Sequence, residues 1–240
     1  MVIQSSAPRG LLLGASLAVA ISCGDSGARS STRADTLVSA FPRDTPNSGT
    51  GTKTPSVRPI SIGGIDLGAI GYDKGSPNAP IVVVEFSDFG CPYCGEFARE
   101  TFPSLDREFI AAGKVFFKYV PFVIGTFPNA SEAARAAECA GEQNGFWPMY
   151  DQLFAAQSEW KRDRSPGAVF ARYAAGAGLD KSHFAACYAR AEIHPRTRRA
   201  NDVADRLGVR VTPSFIVNGR AVEGALPLAD FRRLLNELAK

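Results

Sequence analysis

Six residues set the frame for this chain: Ile81-Val82-Val83-Val84-Glu85-Phe86, an apolar, mostly β-branched run interrupted by one acid. Continuous rather than alternating apolarity predicts a strand covered on both faces, the central strand of a sheet. The segment from Cys91 to Gly113 has helical spacing instead. Phe97, Thr101, Leu105 and Phe109 share one face, Pro92 suits the first turn and Gly113 the exit. Pro103 predicts a kink within this helix. Lys114 to Phe122 then reads as a second strand. A strand–helix–strand order needs a crossover, so the two strands are expected to be parallel.

From residue 129 to about 207 the pattern is helical throughout, ending in a segment opened by Pro195 with Ala200, Val203, Ala204 and Leu207 on one face. Strands return at Pro213–Val217. Asn218-Gly219 fits a two-residue type I′ turn, and Arg220–Gly224 completes the hairpin. The last segment is an amphipathic helix with Leu228, Phe231, Leu235 and Leu238 inward. The order is βαβ, a helical block at about 125–207, then ββα. This is an α/β chain whose two halves make a thioredoxin fold once the all-helical insertion is set aside.

The amino-terminal end has a different character. Arg9 precedes Leu11–Ser22, an apolar run too short to span a bilayer and suited to the core of an export signal. Two cleavage readings compete. Ala18-Val19-Ala20 fits an ordinary signal-peptidase site. Ala20-Ile21-Ser22-Cys23 resembles a bacterial lipoprotein box, although Ala20 stands where Leu is usual. Cys23 is the odd one of five cysteines. Lipidation would account for its thiol, so residues 1–22 are read as a lipoprotein-type signal and Cys23 as the acylated residue. Residues 23–57 are rich in Ser, Thr, Gly and Pro without apolar periodicity, and read as a disordered tether to a domain at 58–240. Either cleavage exports the chain to an oxidising compartment. Net charge is +3, too mild a balance to argue for nucleic acid.

Cys91 and Cys94 sit where the central strand gives way to the helix. Cys91 is expected at the N-cap and Cys94 one turn in. Unpaired N–H groups and the helix dipole favour a thiolate at Cys91, so its pKa should fall below the free value. One thiol would react and the other resolve the mixed disulfide. A zinc site would need two more ligands from Cys139, Cys187, His183 and His194, and these form no second tight pair. A cysteine hydrolase would need a base, and neither His has a partner motif. Thr212-Pro213 opens the third strand. In this fold a cis peptide belongs there, placing the Thr212 backbone opposite the cysteines, where it could pair with an extended substrate; the alternative is a strand-initiating trans proline. Glu85 has two readings as well. Pointing inward it would be desolvated and could take a proton from Cys94; pointing outward it would be an ordinary strand residue.

Together Ala79–Cys94, Ala136–Phe154, Gly178–Arg190 and Gly208–Gly219 resemble the DsbA-like branch of the thioredoxin superfamily, the secreted thiol–disulfide oxidoreductases with a helical insertion. The resemblance covers about residues 70–240. It implies Cys91 as the attacking and Cys94 as the resolving cysteine, Thr212-Pro213 as the cis-proline loop, and Glu85 as the buried acid. It also implies a structural disulfide between Cys139 and Cys187. The implied activity is disulfide transfer between the Cys91–Cys94 couple and unfolded or cysteine-containing exported proteins. No bound cofactor and no metal are implied. Reoxidation would come from a quinone-linked membrane partner, with membrane contact only through the lipid anchor. Tyr93 between the cysteines adds no positive charge, which leaves the direction of electron flow open. Alternatives are a reductase or isomerase kept reduced by a membrane electron donor, or a redox-inactive tethered peptide-binding protein.

Overall fold

The run at 81–86 forms the middle of the sheet, as its composition predicts. A computed structural model describes residues 60–190 and 192–240. The expected export signal, Cys23 and the tether lie outside the described residues.

A short hairpin, β1 (Ser61–Ile62) and β2 (Ile65–Asp66), comes first. The main sheet has five strands: β3 (Tyr72–Lys74), β4 (Ile81–Ser87), β5 (Val115–Pro121), β6 (Ser214–Val217) and β7 (Arg220–Glu223). Their order is β3-β5-β4-β6-β7. β4 and β5 are parallel, as the crossover requires, and the other pairs are antiparallel. The β6–β7 turn has Asn218 at φ 44° and Gly219 at φ 83°, the left-handed pair that a type I′ turn demands. β3 is an addition that the sequence did not disclose.

Successive residues of β4 serve two separate apolar layers. Ile81 and Val83 pack with Phe97, Phe117, Phe215 and Phe231 on one face. Val84 and Phe86 pack with Val120, Ala200, Val203 and Ala204 on the other. Burial of both faces explains the continuous run.

After β4 the helix runs as α1 (Pro92–Glu96), a π turn (Phe97–Thr101), α2 (Phe102–Leu105) and a second π turn (Asp106–Ile110). The disturbance expected at Pro103 takes this form. Proline has no N–H to return to the carbonyl four residues back, and ahead of it the ladder slips so that the Phe102 N–H reaches the Phe97 carbonyl. Phe97, Thr101, Leu105 and Phe109 all remain buried.

Between β5 and β6 the chain is helical: α3 (Ala130–Gly141), α4 (Phe146–Ala155), α5 (Gln157–Trp160), α6 (Gly167–Gly176), α7 (Lys181–Tyr188) and α8 (Pro195–Arg206). α3 buries six alanines, small enough to let α4, α6, α7 and α8 approach it closely. Cys139 of α3 and Cys187 of α7 are joined by a disulfide across a Cα separation of 5.6 Å. α9 (Leu228–Leu238) closes the fold with Phe231 and Leu235 buried, and Leu228 and Leu238 partly buried. Among the described residues no helix is long and apolar enough to cross a membrane.

The Cys139–Cys187 bridge closes a 48-residue loop. Restricting a loop of that length in the unfolded chain corresponds to about 4 kcal/mol. Replacing both cysteines with Ala should therefore lower the unfolding free energy by about 2–5 kcal/mol in chemical denaturation. An unchanged denaturation midpoint would show that the bridge contributes no stability.

Candidate active site

The site grows from the end of β4. After Ser87, three residues lead to Cys91, which caps α1 with extended backbone (φ −72°, ψ 127°) ahead of Pro92. This short loop is pinned by its own carboxylate. Asp88 Oδ1 accepts the Gly90 N–H at 2.8 Å, and Oδ2 accepts the Ile124 N–H at 3.2 Å beyond β5. The Asp88 carbonyl accepts the Cys91 N–H at 3.0 Å. Gly90 is required by close approach: a Cβ there would lie 2.5 Å from Phe127 Cβ.

Across from this loop, the Thr212–Pro213 peptide is cis and β6 begins at Ser214. The Thr212 carbonyl lies 3.3 Å from Cys91 Sγ and accepts from it when the sulfur is protonated. Residues 121 positions apart in sequence thus face each other. From the insertion, Gln157 Nε2 donates to the Phe89 carbonyl at 2.6 Å and to the Cys91 carbonyl at 2.8 Å. Tyr93, between the two cysteines, is 64% exposed.

Cys91 and Cys94 are free thiols. Both are nearly closed to solvent, at 1% and 0% exposed, yet their titrations are pushed in opposite directions. The Cys91 pKa is lowered to about 6, first by the Cys94 thiol, then by the Thr212 side chain and the N–H groups of Cys94 and Tyr93, against the opposing effect of burial. Cys94 is pushed well above the ordinary thiol value by burial, by donating its proton to Cys91, and by the negative charges of Cys91 and Glu85. One proton is thus held on the inner sulfur while the outer one is a thiolate at neutral pH.

Glu85 points inward. It is wholly buried, on the face of β4 that carries Ile81 and Val83, and neither carboxyl oxygen has a hydrogen-bond partner among the described residues. Burial raises its pKa to about 8, an effect that the Ser87 hydroxyl partly offsets. The outward reading of this residue does not match its position. Tyr119, opposite it on β5, and Tyr150 of α4 are also wholly buried, and desolvation together with the Glu85 charge raises both phenols.

Asp88 and Gln157 were not identified from sequence. Asp88 carried a weak signal, an acid between a buried strand and a reactive helix start. Gln157 carried none, because its partners lie 66 and 68 positions away. Asp88 is raised to about 6, mainly by burial. His183 and His194 lie instead beside Glu142, within 3.3 and 3.4 Å. Cys139 and Cys187 are bonded to each other.

These features define a thioredoxin-fold protein with a Cys-x-x-Cys couple and a helical insertion. The family model described as "Thioredoxin" matches residues 72–237. A probable disulfide bond formation protein D of Bacillus anthracis is 31% identical over 150 residues, covering 60% of this chain and 68% of that protein. The Na(+)/H(+) antiporter NhaA 3 of Salinispora tropica is 37% identical over 151 residues, covering 63% of this chain and 22% of that protein. The chain therefore matches only about a fifth of the antiporter's length. Among solved structures, oxidised BdbD from Bacillus subtilis superposes with a TM-score of 0.64 at 21% identity, covering 70% of this chain and 92% of that one. Wolbachia pipientis α-DsbA1 gives 0.62 at 22%, covering 70% and 89%. The chain belongs to the thioredoxin family.

The buried acid generates a pH prediction. Glu85 rises from an ordinary 4.5 to about 8 in the folded protein, so between those values the folded state holds a proton that the unfolded chain has lost. Stability from this group is complete below 4.5 and falls as pH rises through 8, by about 1.4 kcal/mol per pH unit between them. Urea denaturation of the reduced protein at stepped pH should show wild type losing stability relative to Glu85→Gln from pH 5 to 8. Parallel curves would show that Glu85 titrates normally.

Proposed function

We propose that the protein is an exported thiol–disulfide oxidoreductase that passes its Cys91–Cys94 disulfide to cysteine-containing exported proteins. The observation that carries this reading is the placement of two free thiols three residues apart at one helix start, with Cys91 at the cap facing the Thr212 carbonyl across the cis Thr212–Pro213 peptide. A stabilised Cys91 thiolate favours the reduced form of the couple. That makes the disulfide a ready electron acceptor and Cys91 a good leaving group.

The exchange balances as follows. A substrate thiolate attacks Cys91 Sγ, the Cys91–Cys94 bond breaks, and Cys94 leaves and takes a proton, for which the neutral Glu85 carboxyl would be the donor. The second substrate thiolate then attacks the substrate sulfur of the mixed disulfide, and Cys91 leaves as a thiolate. Two electrons pass from substrate to enzyme. The backbone of Thr212, held by Pro213, would pair with the extended substrate. Return to the disulfide requires an external two-electron acceptor, for which a quinone-linked membrane protein is the class the family implies. Lipidation at Cys23 and the tether at 23–57 would keep the domain within reach of that partner. An amino-terminal segment of export type supports this placement.

The reading is tested by alkylation and transfer. In the reduced protein Cys91 should react with iodoacetamide much faster than Cys94, at a rate that rises through about pH 6 and is flat by pH 8. The oxidised protein should convert a reduced dithiol peptide to its disulfide with one equivalent per enzyme, and Cys91→Ser should not. Equal alkylation rates, or no transfer, would exclude the oxidoreductase reading.

Fractionation tests the anchor. Wild type expressed in a bacterium should partition with membranes and carry acyl groups on Cys23, whereas Cys23→Ala should lose acylation and keep disulfide transfer. A soluble mature chain beginning at Ile21 would establish cleavage after Ala20 instead.

A further inference from the structure

Two carbonyls of the active-site loop, those of Phe89 and Cys91, converge on a single side-chain nitrogen, Gln157 Nε2, at 2.6 and 2.8 Å. The Cys91 carbonyl also accepts the Gly95 N–H at 3.1 Å as the first bond of α1. The Phe89 carbonyl receives no backbone N–H among the described residues. Gln157 thus uses both its amide hydrogens to tie the residue two before the cysteine to the cysteine itself.

The far side of the amide is enclosed as well. A Cβ on Gly95 would lie 2.7 Å from Gln157 Oε1 and 2.7 Å from Arg99 NH1, so the glycine after Cys94 leaves the space that this side chain fills. Arg99 is itself held, donating to the Phe154 carbonyl at 3.0 Å. The α5 backbone that carries Gln157 is fixed three residues on by Trp160, which is fully buried and donates from Nε1 to the Leu153 carbonyl at 2.8 Å. Asn129 donates to the Trp160 and Asp163 carbonyls at 2.8 Å each. The amide is therefore presented to the loop from a rigid base, while Asp88 ties the same loop to the Ile124 N–H.

We propose that Gln157 is a positioning residue for the redox couple: by bridging the Phe89 and Cys91 carbonyls it fixes the backbone that aims Cys91 Sγ at the helix start and at Thr212. The inference rests on the thiol–disulfide reading and adds to it a means by which the helical insertion sets the chemistry of a centre built on the sheet. Loss of the bridge frees the Cys91 peptide. Its sulfur then aligns less well with the N–H groups of Tyr93 and Cys94 that stabilise the thiolate.

Two perturbations reach the amide independently. Gln157→Met keeps the length of the side chain and removes both donors. Gly95→Ala leaves Gln157 in sequence but places a methyl 2.7 Å from its amide oxygen, too close for that oxygen to stay, and alanine raises rather than lowers helix propensity. The measurements are thiolate absorbance against pH and the equilibrium of the couple with glutathione, on full-length chain with the Cys139–Cys187 bridge intact. Both variants should show the Cys91 titration moved upward by half a pH unit or more. That corresponds to roughly a threefold shift of the glutathione equilibrium toward the protein disulfide. A Cys91 titration and glutathione equilibrium identical to wild type in folded Gln157→Met would overturn the proposal. So would a shift in Gln157→Met accompanied by none in Gly95→Ala. If wild type itself shows no depressed titration and no exchange, the redox reading fails, and this inference with it.

Discussion

The double-sided burial of β4 is the constraint on which the rest of the structure depends. Its residues alternate between two apolar layers, Ile81 and Val83 in one, Val84 and Phe86 in the other. Both edges are paired, to β5 and to β6. A slip of one residue would move Phe86 into the layer beneath α1 and turn Glu85 toward α8, so the register is strongly specified. With the register set, Ser87 ends the strand at a fixed place, Asp88 meets Ile124, and Cys91 meets Thr212. The geometry of two sulfur atoms is inherited from the apolar side chains of a strand that lies beneath them.

The buried polar groups fall into two kinds. Glu138 is enclosed but well served: Tyr72 and Thr197 donate to it, and His194 and Arg196 lie within 3.5 and 3.4 Å. Lys118 is likewise buried, against Asp73 at 2.5 Å and the Ile70 carbonyl at 2.9 Å. Both clusters join the sheet to its surroundings, and their charges are compensated as buried charges must be. Glu85, Ser87 Oγ and the Tyr150 hydroxyl have no partner among the described residues. These unpartnered groups lie on the side of β4 that faces the thiols. Arg135 Nε of α3 and Thr212 Oγ1 are buried without a partner as well, so incomplete pairing is concentrated beneath the thiols but not confined there.

What could be read from the sequence was what local pattern encodes. The continuous run gave the central strand, the spacing of Phe97, Thr101, Leu105 and Phe109 gave the helix after it, and Asn218-Gly219 gave the hairpin. The cysteine pair stood out because its position at a strand-to-helix junction is visible in one stretch of chain. β3 escaped notice because Tyr72-Asp73-Lys74 is short and charged, and is held by pairing with β5 rather than by its own composition. The form taken by the disturbance at Pro103 was hidden too, since a proline forbids one hydrogen bond without dictating which bond replaces it. Gln157 was hidden for a different reason. A side chain that acts on a backbone across the fold leaves no spacing to detect.

The insertion lies wholly between β5 and β6, so Val83 must wait for Val217 before its second edge is closed. A chain that emerges amino-terminus first presents β4, the cysteine pair and β5 first, then six helices, and only afterwards the strand that completes the sheet and the Thr212 that covers Cys91. During that interval one edge of the most apolar strand is unpaired, and the more acidic thiol lacks its cover. Long-range strand pairing is slow, and open edges invite pairing with other chains. The Cys139–Cys187 bridge joins two helices that both precede β6. The insertion can therefore be locked before the sheet closes. Of the chain's four cysteines beyond the amino-terminal segment, Cys139 and Cys187 can pair while Cys91 still stands uncovered, which makes the order of assembly itself a point at which disulfide pairing is decided.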